Sequence, residues 1–169
     1  MKIYLSILLI LNLFFASEDA NWEVLSEQPV LIKVLKSDYP HCHAELIIDE
    51  SIDDILKVVE DVNSYKLFFD SIIISDINNQ GEVRLGIDMP FPFSNRDYTV
   101  KFNRLEEENK ISYLYDSIVI DDFPEGKNYV RLVYARGGWI LSKLEDKKTL
   151  VVYIWNGDMR GSFPQWAYT

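Results

Sequence analysis

The sequence is poor in the residues that carry most recognisable chemistry. Its 169 residues include one cysteine, Cys42, and two histidines, His41 and His43. A single cysteine cannot close an internal disulfide and supplies no cysteine-rich zinc framework. Both histidines lie two residues apart, so none stands elsewhere to serve a distant nucleophile, and neither GxSxG nor HExxH occurs. Basic residues are scarce, with 17 Lys and Arg against 27 Asp and Glu and a formal charge of −10. Nucleic acid is therefore disfavoured as a partner, because a phosphate backbone calls for a basic face. An anionic membrane held by charge alone is disfavoured for the same reason. No linker, low-complexity tract or repeat breaks residues 21–169, which points to one domain.

Apolar and aromatic residues are plentiful. They make up 48% of the chain, with 4 Trp, 10 Tyr and 9 Phe, which excludes disorder as the main state and suffices for a real core. The first twenty residues stand apart. Lys2 precedes an apolar run from Ile3 to Ala16 that Glu18-Asp19 ends. The run is shorter than the ~20 residues that span a bilayer and fits the h-region of a signal peptide. Residues 1–20 are thus expected to direct secretion or periplasmic export, with an uncleaved anchor or a buried helix as alternatives. No A-x-A pattern marks a cleavage site.

One stretch has a helical period. Ile52, Ile55, Leu56, Val58, Val59 and Val62 recur at three- and four-residue steps between charged residues, and Asp49 or Ser51 can cap the first turn. A short turn is expected through Tyr65–Phe69. Nearly all the rest reads as strand: 31–36 and 43–48 before the helix, then 72–77, 82–89, 96–105, 111–118, 129–136, 139–144 and 150–155. Short polar links imply antiparallel hairpins. The expected class is α+β, a curved antiparallel sheet with helices inserted after the second or third strand.

Alternation along the strands separates two faces. Arg96, Tyr98, Val100 and Phe102 share one, and Asp97, Thr99, Lys101 and Asn103 the other. Val83, Leu85, Ile87 and Met89 form the apolar face of the preceding strand. So much apolar volume behind one helix suggests a cavity. Arg96 opens the apolar face, where its five donors can hold a lipid head group or join a structural salt bridge with Asp97 or Asp116. Asp97 reads as a structural hydrogen-bond acceptor. On a strand His41 and His43 share a side while Cys42 points away, so at most two metal ligands converge and no metal is expected. Gly137-Gly138 reads as a bulge rather than a phosphate loop, since no helix follows it.

Four blocks, in order, resemble the START (steroidogenic-acute-regulatory-related lipid-transfer) domain. They are Ala44–Asp49 with the helix and Tyr65–Phe68; Pro90-Phe91-Pro92-Phe93-Ser94-Asn95-Arg96-Asp97-Tyr98; Tyr129-Val130-Arg131 through Gly138-Trp139-Ile140-Leu141; and Thr149 and Tyr153 through Asp158-Met159-Arg160-Gly161-Ser162-Phe163-Pro164-Gln165-Trp166. The resemblance implies a helix-grip fold over residues 21–169, non-enzymatic binding and transfer of a lipid or other apolar molecule, and no cofactor. It implies ligand contacts from Arg96, Tyr98, Met89, Ile87, Phe102, Tyr113 and Trp155, and a gating loop carrying Phe91 and Phe93 that touches a membrane transiently. Two departures stand out. The family's long C-terminal helix would follow Trp166, but this sequence ends at Thr169, so the helix is expected to be truncated. The uncovered sheet face would then favour self-association. Further, the strand before Arg96 carries no inward acid to pair with it. The competing class is a polyketide cyclase or aromatase of the same fold, with Arg96 and Tyr98 or Tyr113 polarising a carbonyl; export argues against it. A third alternative is an inactive fragment.

Overall fold

In the computed structural model, residues 21–124, 126 and 128–161 are described. The expected export segment, 1–20, and the block from Ser162 to the C-terminus lie outside these residues. The strands are β1 (Glu23–Ser26), β2 (Leu31–Leu35), β3 (His41–Ile48), β4 (Ile72–Ile77), β5 (Glu82–Ile87), β6 (Asn95–Glu107), β7 (Lys110–Ser117), β8 (Tyr129–Arg131), β9 (Ala135–Glu145) and β10 (Lys148–Gly157). Helices α1 (Ile52–Glu60) and α2 (Tyr65–Phe68), with a 3-10 turn between them, connect β3 to β4. The strands form one curved sheet in the order β1-β2-β3-β10-β9-β7-β6-β5-β4. This is the expected α+β helix-grip architecture, with its helices inserted after the third strand.

Helix α1 begins where Ser51 accepts the Asp54 backbone N–H at 3.2 Å, and Asp53 and Asp54 suit the positive end of its dipole. Its Ile55, Leu56 and Val59 pack with Ile111, Leu141 and Val151 on the sheet. Each such side chain contributes about 1.5–3 kcal/mol through burial. Val58, expected on the same stripe, faces solvent. A second cluster gathers Val62 and Tyr65 from the helical connection with Val83, Leu85, Tyr98, Val100 and Tyr115.

Three local expectations need correction. Strand β1 gives no sequence signal of its own; among the described residues it pairs only with β2, and it is largely exposed. Segments 129–136 and 139–144 are divided differently, into the short β8 and the unbroken β9. The link 118–128 is long enough to reverse the chain, so β8 runs parallel to the start of β6, with Asp97 opposite Arg131. Gly137 and Gly138 form no bulge, since β9 pairs without a register shift there, with Tyr115 and Leu114 on one side and Trp155 and Ile154 on the other. A Cβ on Gly137 would lie 2.3 Å from the Ile154 carbonyl oxygen, and one on Gly138, at φ +134°, 2.2 Å from that of Tyr113. Backbone approach from both sides is what demands glycine.

Candidate functional site

The two core clusters do not close over the concave side of the sheet. Between them lies a cavity of about 320 Å³. Leu85 and Tyr98 form one wall from β5 and β6, and Ala44, Leu46 and Val151 form the other from β3 and β10. Tyr65 and Phe69 border it from the helical connection and Ile72 from the start of β4. Trp139 stacks on Phe69 with ring centres 5.8 Å apart and tilts against Tyr153 at 4.7 Å.

No Asp, Glu, Lys, Arg, His or Cys lines this wall among the described residues. Its interior polar groups are neutral. The Tyr65 hydroxyl donates to the Val59 carbonyl and accepts from Trp139 Nε1 at 3.1 Å, so both groups serve to tie the helical connection to β9. The Tyr115 and Tyr153 hydroxyls lie 3.1 Å apart, and Tyr98 hydrogen-bonds Tyr115. Burial pushes all three phenols above their ordinary pKa, so they stay protonated at neutral pH. Strands β7 and β10 are not neighbours, because β9 lies between them. Tyr115 reaches Tyr153 over Gly137, whose Cβ would lie 3.1 Å from the Tyr115 hydroxyl.

Of the residues expected at a ligand, Tyr98 lines the cavity and is 2% exposed. Ile87, Phe102, Tyr113 and Trp155 are half-buried and pack against the core cluster that contains Tyr98. Phe102 stacks on Tyr113 with ring centres 4.5 Å apart. Met89 is half-buried, its backbone N–H bonded to Asn95 Oδ1 at 3.0 Å. None of these six residues is exposed. On the Pro90–Asn95 loop Phe91 is 96% exposed, while Phe93 is half-buried.

Arg96 lies outside this wall. It is 4% exposed, and its guanidinium donates to the carbonyls of Ser94, Met159 and Arg160, the last at 3.0 Å. The carboxylates suggested as its partners go elsewhere. Asp116 pairs with Arg136 at 2.8 Å. Asp97, fully buried on the opposite face of β6, pairs with Arg84 at 2.7 Å and Arg131 at 2.8 Å. Burial alone would raise the Asp97 pKa, but hydrogen bonds and charge from Arg131 and Arg84 hold it below the ordinary carboxylate value. Arg131 also donates to the Phe123 carbonyl and thereby fastens the 118–128 link. His43 bonds Glu45 at 2.7 Å, and burial raises the Cys42 pKa and lowers that of His41.

No family profile and no curated protein sequence matches the chain. Solved structures do. A STAR-related lipid transfer protein from Xanthomonas axonopodis superposes with a TM-score of 0.69 at 23% identity, covering 86% of this chain and 86% of that one. Human StAR-related lipid transfer protein 5 superposes with a TM-score of 0.78 at 15% identity, covering 96% of this chain and 84% of that one. The chain has the START-like fold. At these identities the likeness fixes the START-like architecture and leaves the ligand to this chain's own cavity. The residues missed by sequence reasoning are Tyr115, Tyr153, Tyr65 and Trp139. Their signal was available in part: each is a large side chain with a polar tip, and Tyr115, Trp139 and Tyr153 sit on strands where alternation marks an inward face.

Proposed function

We propose that this domain binds a single apolar or weakly polar small molecule, a lipid in the broad sense, inside the cavity between the two core clusters. The observation that carries this is a mainly aromatic and aliphatic wall around about 320 Å³ with no charged side chain in it among the described residues. Such pockets are the usual form of small-molecule sites. An apolar cavity of about 150 Å³ accommodates benzene, so this one suits a ligand portion of about a dozen non-hydrogen atoms. Binding would draw on ~25 cal/mol per Å² of apolar surface removed from water. The names of the structural neighbours support the same reading, since both are lipid transfer proteins. The pair expected of a cyclase, Arg96 with Tyr98 or Tyr113, is not assembled in this wall, where only Tyr98 stands.

Carriage between membranes through the Phe91 loop, and export directed by residues 1–20, belong to the same proposal. N-terminal sequencing of the secreted protein should begin between Ser17 and Asn21; a soluble product retaining Met1 overturns export. The central test is calorimetric titration of the full chain with 1-decanol. Saturable one-to-one binding with a negative heat-capacity change is expected, and Ala44→Trp and Val151→Trp, which fill the cavity, should each abolish it. Unchanged binding in both folded variants places the ligand elsewhere.

A further inference from the structure

The polar groups of the cavity are unevenly committed. Tyr65 spends its only donor on Val59 and accepts from Trp139, and Ser71 lies exposed at the cavity's edge. The hydroxyls of Tyr98, Tyr115 and Tyr153 bond only to one another in the described contacts. Three hydroxyls bring three donor protons. Two internal bonds consume two of them, which leaves one proton and several lone pairs to offer inward. Arg96, on the same face of β6 as Tyr98, has its guanidinium turned to three backbone carbonyls.

We propose that the ligand is uncharged and carries one small hydrogen-bonding group, an alcohol or ketone, that docks on the Tyr98–Tyr115–Tyr153 hydroxyl cluster, and that ionised carboxylate and phosphate heads are excluded from the cavity. This rests on the cavity-binding function proposed above. A hydroxyl or carbonyl oxygen entering the cluster takes up its spare donor and is repaid for the water it leaves. An ionised carboxylate would gain the same single bond but lose its hydration with no cation in the wall to offset it. Burial keeps the three phenols protonated, so their donor capacity persists through neutral pH. Gly137 is part of the device, because a side chain there would displace the Tyr115 hydroxyl.

The test measures equilibrium partition of decane, 1-decanol and decanoate into the full-length chain at pH 8. Decanol should bind about 10-fold more tightly than decane, the worth of one hydrogen bond. Decanoate should bind about 100-fold more weakly than decanol. The triple variant Tyr98→Phe, Tyr115→Phe, Tyr153→Phe should bring decanol down to the level of decane and leave decane binding intact, which also reports an undamaged cavity. Decanoate matching decanol, or decanol no better than decane while decane still binds, overturns this inference and leaves the cavity function standing. Failure of both decane and decanol to bind overturns the two together.

Discussion

Two buried polar clusters begin one residue apart on β6 and point to opposite faces. Asp97, with Arg84 and Arg131, is ionic; Tyr98, with Tyr115 and Tyr153, is neutral. The ionic cluster is closed. Both Asp97 oxygens take guanidinium donors, Arg84 lies under the ring of Tyr129 at 5.5 Å, and Arg131 reaches on to the 118–128 link. A buried charge tolerates no vacancy, so such a cluster must satisfy itself and serves the fold. Neutral hydroxyls can leave one donor unspent at a cost of about 1–3 kcal/mol. That is small enough to be carried until a ligand takes it. The difference separates the face of β6 that holds the sheet together from the face that can recognise something.

The largest expected effect comes from breaking the ionic side. Asp97→Asn should cost about 3–5 kcal/mol in urea unfolding, because two arginines lose their counter-charge, while decanol affinity stays as in the parent. A loss under 1 kcal/mol would show that solvent serves the arginines instead. The same residue sets an acid dependence. Its folded pKa lies below the unfolded value of about 3.9, so its stabilisation is full above that value and is lost as pH falls through the folded pKa. The acid-unfolding profile of the parent should therefore carry a component below about pH 4 that Asp97→Asn lacks.

Gly137→Ala should disturb the neutral cluster. Its methyl group meets the Ile154 carbonyl, which cannot move aside, and the Tyr115 hydroxyl. A destabilisation of about 1–3 kcal/mol is expected, together with loss of the decanol advantage over decane. Arg96→Leu separates the structural assignment from the role implied by the family resemblance. Its bonds to Ser94, Met159 and Arg160 predict a stability loss of about 1–3 kcal/mol with cavity affinity preserved. Intact stability with lost affinity would return Arg96 to the ligand. The smallest effect is expected at Phe91. Phe91→Ser should change stability by less than about 0.5 kcal/mol, since the ring touches little, yet reduce co-sedimentation with phosphatidylcholine vesicles. Equal co-sedimentation would remove the loop from membrane contact.

Much of this molecule follows from short-range pattern. The period of Ile52, Ile55, Leu56 and Val59 specifies α1, Ser51 specifies its start, and strict alternation assigns Tyr98 inward and Asp97 outward before any strand is paired. Each is a local consequence of 3.6- and 2-residue geometry. Strand pairing is not local. That Arg96 meets Met159 and Arg160, that β8 lies parallel to β6, and that Tyr115 meets Tyr153 across an intervening strand depend on the order β10-β9-β7-β6. Alternation fixes the side a residue faces but leaves open which residue, from which strand, will stand opposite. The sequence alone therefore determined the helix, the inward and outward faces and the apolar character of the interior. The tertiary structure decided which polar groups are consumed by the fold and which are left to the cavity, because only the packed sheet brings donors and acceptors far apart in the chain within hydrogen-bonding distance.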